Sequence, residues 1–464
     1  MKDGTLKTLL LVALVIVILL LLHFVPSVSV FGVKLRKVNI LSQIITLPGD
    51  NESTDVIPKP KDPKQIEARS KSGKLLDFKE VWPKGVQPIL DYSEGNAGGM
   101  DHFYEMVDSA ARHKLKGRPV RIAYYGDSFI EGDILVADLR EQLQAKYGGS
   151  GVGWIDAGND LEKYKISIGA SYTGMTEHMA MKKESYDPSK AGIAERYYTT
   201  NGSASMTMTG QKYYPHTSTW TSSRLYFCSA GKAHIVGKLG SGIVSEKSYS
   251  ASPSVQEFSM SGAKTNKVKF SITGAPVLFG AVAETDGGIV VDNFSMRGST
   301  GITLSTLSER TLSDFNRIRP YDLIVLQFGV NAVSSDTKDE DMHKYLSGMR
   351  KVIRLMRKCF PEASILVVST PDRGNNANGT MPTIKVLEGY QKELAAEEKV
   401  GFYSLFHSMG GEGAMARLHE RNMTSADLVH VSRGGGKLIA NGIFKSIVAG
   451  ENNYLRRRKL EREN

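Results

Sequence analysis

Gly126-Asp127-Ser128 follows the apolar run Arg121 to Tyr125 and precedes a helical pattern in which Leu135, Leu139, Leu143 and Tyr147 recur four residues apart. A strand, a tight turn and a helix would present the Ser128 hydroxyl where a nucleophile belongs; a turn whose Asp and Ser only cap a helix is the plainer reading. Far along the chain stands Asp427-Leu428-Val429-His430. That spacing sets a carboxylate beside an imidazole on one turn of chain, able to orient the ring and stabilise its cation. A neutral hydroxyl attacks an ester only when a base takes its proton, so this chemistry requires Ser128 and His430 to meet. It also requires donors for an oxyanion. Two segments offer them: Arg297-Gly298-Ser299-Thr300-Gly301, and Gln327-Phe328-Gly329-Val330-Asn331 after the strand-like run Leu323 to Leu326. Taken singly, Gly298 reads as a turn glycine and Asn331 as a helix cap or Asx turn.

In their order along the chain, Ser128, Gly298, Asn331 and the Asp427/His430 pair resemble the blocks of the SGNH hydrolases, the GDSL family of esterases, lipases and acetyltransferases. The resemblance runs from about residue 80 to 449, less a large insertion. It implies a three-layer α/β fold with a parallel sheet, Ser128 as nucleophile, His430 as general base and Asp427 as the group holding the ring's tautomer. The oxyanion hole it implies consists of the backbone N–H groups of Ser128 and Gly298 and the side-chain amide of Asn331. No cofactor or metal is expected, and no Cys or His cluster has zinc-ligand spacing.

These residues must be positioned by alternating elements. A helix over Met100 to Leu115 precedes the first strand. After Asn331 come Asp341 to Lys358, with Tyr345, Met349, Ile353 and Met356 on one stripe, then Ser364 to Ser369, Ile384 to Glu397, Gly401 to Leu405 and a last helix from Gly436 to Val448. Such alternation predicts a parallel sheet covered by helices, with the active site on loops at the strands' carboxyl ends. Asp372 falls on one such loop, as a cleft residue or, more simply, a turn residue. Between Ser128 and Gly298 the chain is too long for a βα connection. Residues 161–284 change character, with short Thr-, Ser-, Val- and Tyr-rich runs such as Ser203 to Thr209, Leu225 to Ser229 and Lys267 to Ile272, which suits an inserted, jelly-roll-like β-sandwich. This arrangement is similar to bacterial peptidoglycan O-acetylesterases, whose SGNH domain is interrupted by a carbohydrate-binding-like domain. Tyr213, Tyr214 and Trp220 are candidates to stack on sugars, or core residues.

The 464 residues are 41% hydrophobic and 23% charged, enough for more than one compact unit. Thr8 to Val25 is almost wholly apolar and close to membrane-spanning length, which predicts an uncleaved anchor within residues 1–33 in preference to a signal peptide. Residues 34–75 read as a proline- and lysine-containing linker, 76–160 and 285–450 as the two parts of the catalytic domain, and 451–464 as a solvated basic tail. The net charge of +10 comes without any nucleic-acid module, so nucleic acid is not an expected partner. Cys228 and Cys359 read as buried thiols, and Gly149-Ser150-Gly151-Val152-Gly153 as a helix-ending turn. The expectation is a membrane-tethered serine esterase, amino terminus inside and catalytic domain in the periplasm or extracytoplasmic space, that removes O-acetyl groups from an envelope glycan, with peptidoglycan foremost. A glycan O-acetyltransferase, a lipase or thioesterase with the same triad, and a noncatalytic glycan-binding protein stay open. The sequence carries no signal for oligomeric state.

Overall fold

The computed structural model describes residues 14, 29–30, 33–34, 58, 60–115, 117–375 and 379–464. The chain divides into two compact units, Met1–Val56 and Ile57–Asn464. In the first, Ser29–Val30 pairs antiparallel with Val33–Lys34. The expected membrane span Thr8 to Val25 lies, Leu14 apart, outside the described residues; among the described residues no helix is long and apolar enough to cross a membrane.

The second unit is built on a six-stranded sheet. In chain order its first elements are β1 (Ile89–Asp91), α1 (Asp101–Ala111), β2 (Val120–Gly126) and α2 (Val136–Tyr147). An inserted sheet follows, with strands β3 (Gly153–Asp156), β4 (Ile168–Met179), β5 (Arg196–Gly210), β6 (Trp220–Ser229), β7 (Ala233–Leu239), β8 (Ile243–Tyr249), β9 (Ser252–Thr265), β10 (Lys267–Gly274) and β11 (Val277–Glu284). The chain then returns through β12 (Ile289–Ser295), α3 (Glu309–Ile318), β13 (Leu323–Gln327), α4 (Asp339–Cys359), β14 (Ser364–Val368), α5 (Pro382–Glu397), β15 (Gly401–Tyr403), the short α6 (Leu405–Ser408) and α7 (Ala414–His419), and α8 (Arg433–Glu463).

The six-stranded sheet has the order β12-β2-β13-β14-β15-β1 and is parallel except at the β1 edge. Helices cover both faces, so its strands are apolar at nearly every position and alternate which side they feed. Ile122 and Tyr124 of β2 join one core with residues of α1, α2 and α8, while Ala123 and Tyr125 join another with residues of α4 and α5.

The insertion is antiparallel throughout, in the order β8-β7-β10-β5-β11-β6-β9, with β3 on β11 and β4 on β5. Strand β5 belongs to both leaves: its carboxyl half pairs with β10 and its amino half with β11. The sheet folds over on itself around Met206, Met208, Trp220, Phe227, Phe258 and Phe270. The insertion begins at β3, earlier than the expected residue 161.

Two expected boundaries are corrected. From residue 60 the expected linker lies on the folded unit: Ala68–Arg69 pairs with Leu75–Leu76, Ala68 is buried, and Lys392 Nζ is 2.7 Å from Asp62 Oδ1. The expected basic tail is the second half of α8. Its inward face is polar, which hid it from a search for apolar periodicity: Glu451 accepts from the Tyr147 hydroxyl, Asn453 Oδ1 accepts from the Val81 N–H at 2.9 Å, and Arg457 pairs with Asp101.

Candidate active site

The neighbouring strands β12, β2 and β13 set the site. Ser295, Gly126 and Gln327 stand level in the parallel register, so the residues just beyond them, Gly298, Ser128 and Asn331, leave the same edge of the sheet on adjacent loops. Asp127 shapes the serine turn, its Oδ1 accepting from the Phe129 N–H at 2.9 Å. That carboxyl is only 2% exposed, and burial pushes its pKa up to about 7 against the opposing pull of the Phe129 N–H and His430.

Ser128 Oγ lies 3.0 Å from His430 Nε2, and His430 Nδ1 lies 2.6 Å from Asp427 Oδ2. The other oxygen of Asp427 accepts from the backbone N–H groups of Val429 and His430 at 2.9 and 3.1 Å. Burial opposes the charge on Asp427, but the bonds from the His430 ring and the two N–H groups outweigh it and hold the carboxyl below its ordinary range. With the Nδ1 proton donated to Asp427, Nε2 is left to accept from the serine hydroxyl. The turn is tight enough to hold Leu428 at φ 52. A bridge between Thr424 and Val431 and a 2.7 Å bond from Ser425 N–H to the His430 carbonyl close it.

Gly298 takes φ 76, a left-handed conformation that costs glycine nothing. Asn331 is tied to the same loop, its Nδ2 donating to the Ser299 carbonyl at 3.1 Å. An amide carries two N–H bonds, so one remains for another acceptor. The structure therefore forms two groups: Ser128, His430 and Asp427 in a hydrogen-bonded line, and Asn331 joined to the Gly298 loop through Ser299. Chemically, such a line can raise the nucleophilicity of a hydroxyl and pass its proton on, and free N–H donors nearby can stabilise a developing oxyanion.

Sequence reasoning missed Arg373. Its Nη1 donates to the carbonyls of Val330 and Val333 at 2.7 and 3.0 Å, bracketing Asn331, while the next residue's N–H, from Gly374, donates to the Leu428 carbonyl at 2.9 Å. One short segment thus holds both the asparagine turn and the histidine turn, and no local motif announces it. Asp372 is a turn residue: fully buried, it accepts from the Thr380 hydroxyl at 2.7 Å and the Met415 N–H at 2.8 Å. Trp220 is core, with Nε1 bonded to Ser223, whereas Tyr213 is 62% exposed and packs edge-on against Tyr214.

Residues 272–437 match the GDSL-like lipase/acylhydrolase family. The matched segment holds Gly298, Asn331, Asp427 and His430 and starts inside the insertion, so Ser128 lies upstream of it. The solved structure of a peptidoglycan O-acetylesterase aligns with a TM-score of 0.64 at 18% identity, covering 78% of this chain and 99% of that one, which is a likeness of fold. Family-two carbohydrate esterases from Cellvibrio japonicus and Clostridium thermocellum align with TM-scores of 0.26 and 0.27 at 10% and 11% identity, over 62% and 61% of this chain and 99% and 100% of theirs. No curated protein matches the sequence. The matched segment includes β12, which pairs in parallel with β2, the strand that leads to Ser128.

Proposed function

We propose that this protein is a serine esterase that removes O-acetyl groups from a cell-envelope glycan, with peptidoglycan as the first substrate to try. The observation that carries the reading is the continuous line from Ser128 Oγ through the His430 ring to Asp427. His430 Nε2 takes the serine proton as Oγ attacks the acetyl carbonyl, and the tetrahedral oxyanion is met by the N–H groups of Ser128 and Gly298 and the free amide N–H of Asn331. The imidazolium, steadied by Asp427, returns its proton to the departing sugar oxygen. Water activated by the same ring then frees acetate and restores Ser128. The likeness to a peptidoglycan O-acetylesterase over nearly its whole length supports the choice of substrate class.

The test is acetate release by the full chain from O-acetylated peptidoglycan, acetylated xylan and an aryl acetate, beside Ser128→Ala. Preference for the wall polymer, abolished in the variant, is expected; turnover that survives Ser128→Ala would sink the serine mechanism. Adding an acceptor sugar separates hydrolysis from acetyl transfer, since water and a hydroxyl compete for one acyl-enzyme.

We further propose that Thr8 to Val25 anchors the protein with its amino terminus inside and the catalytic unit beyond the cytoplasm, where a wall glycan lies. Protease added to spheroplasts should remove the domain bearing Ser128. Protection until lysis would place it inside and turn attention to a cytoplasmic acyl substrate.

A further inference from the structure

Two large apolar side chains left open to solvent stand at the rim of this site, and both come from the insertion. Tyr164 is 56% exposed and ends the turn Asp160–Tyr164. A Cβ placed on Gly132, in the turn that continues from Ser128, would lie 3.4 Å from the Tyr164 Cβ. On the other side Arg433, at the start of the helix after His430, donates from Nη2 to the Tyr164 carbonyl at 2.8 Å. Tyr164 is therefore pinned between the serine turn and the histidine turn. Met181 is 41% exposed, in the turn after β4, and its Cε lies 3.5 Å from where a Cβ of Gly298 would stand. The turn is fixed by bonds from Ala180 N–H to the Glu195 carbonyl at 3.1 Å and from Lys182 N–H to the Met179 carbonyl at 2.9 Å. Arg297, next to Gly298, reaches back to the serine turn and pairs with Glu131 through Nε at 2.9 Å.

We propose that Tyr164 and Met181 form a clamp for the sugar ring that carries the ester, with the Arg297–Glu131 pair meeting its hydroxyls. The inference rests on the esterase reading above and names the subsite that reading lacks. A pyranose presents an apolar C–H face and a polar edge. An aromatic ring covers the first, a polarisable thioether adapts to its outline, and a guanidinium–carboxylate pair offers both donors and acceptors to the second. Because Tyr164 adjoins the nucleophile's turn and Met181 the oxyanion glycine, a ring held by them would seat its ester between Ser128 and Gly298. It would also displace water from the groups that stabilise the oxyanion.

The experiment uses the full chain and its Tyr164→Ala, Met181→Ala and Tyr164→Phe variants, assayed on O-acetylated peptidoglycan, 4-nitrophenyl acetate and 4-nitrophenyl octanoate. Each alanine variant should raise KM for the polymer roughly three- to tenfold more than for the aryl acetate. Tyr164→Phe, which keeps the ring, should recover most of the polymer activity. Equal loss on polymer and aryl acetate, or no loss on the polymer, overturns the clamp. Loss confined to the octanoate overturns it in favour of an acyl-chain site. Failure of the esterase reading is distinguishable, because it appears as Ser128→Ala retaining turnover whatever the clamp variants do.

Discussion

Asp127 is the residue at which chemistry and stability meet. It is buried beside Ser128, the proposed nucleophile, and burial raises its pKa from the ordinary 3.8 to about 7. The folded protein therefore holds this proton more tightly than the unfolded chain. The penalty is absent below pH 3.8, grows as pH rises to about 7, and is constant above that. Asp127→Asn can keep the bond to Phe129 and removes the titration. Its urea midpoint should match that of the wild type near pH 4 and exceed it at pH 8, by as much as about 4 kcal/mol in unfolding free energy. A midpoint difference independent of pH would contradict this assignment. In the proposed mechanism Asn331 is one oxyanion donor, so Asn331→Ala should lower kcat roughly 10²- to 10³-fold with little change in KM; a change in KM alone would assign the amide to substrate binding. The meeting of Asp427 and His430 was legible because three residues of tight turn place the two side chains together. The tie from Asn331 to Ser299 was not, because it joins segments that follow different strands.

At the scale of elements, the segment after β14 acts as a brace. Arg373 fixes the asparagine turn through two carbonyls, and Gly374 fixes the histidine turn through a third. A Cβ on Gly374 would come within 2.4 Å of the Leu428 Cβ, so the two turns approach as closely as glycine permits. Arg373→Ala should loosen Asn331 and lower kcat roughly ten- to a hundredfold, with Arg373→Lys recovering part of it. An unchanged kcat would show the brace to be dispensable. The strands and helices of the catalytic half were legible where both sheet faces are buried and apolar stripes sit on helices, as for β13, α4, β14 and α5. The last turns of α8 were not, because Glu451, Asn453 and Arg457 bury polar groups against specific partners and so lack the hydrophobic signal that pattern reading depends on.

At the scale of the whole folded unit, the insertion is welded to the six-stranded sheet. Trp154, Tyr226 and Phe279 of the inserted sheet share a core with Tyr125, Phe294 and Ile324 of the six-stranded sheet. Beside them, fully buried Arg319 bridges Glu284 at the end of β11 and Asp292 of β12, at 2.9 and 2.7 Å, while Arg121 of β2 reaches Glu284 at 2.7 Å. Arg319→Met leaves two carboxylates short of a partner and should cost about 3–5 kcal/mol, seen as a lower midpoint of a single unfolding transition that both halves share. Two separate transitions would show the halves to be independent. Replacing the insertion with a short linker would strip this core, so point variants at its rim are the sounder probes of its function. Strand β2 also meets neighbours that are made much later: it pairs with β12 and β13, and Ser128 meets His430, 302 residues further on. A chain synthesised from its amino terminus consequently carries Ser128 without its His430 partner until 302 further residues have been added. Until β12 and β13 follow, β2 is an unpaired, apolar strand open to misassociation, so the sheet closes only after the whole insertion has been made.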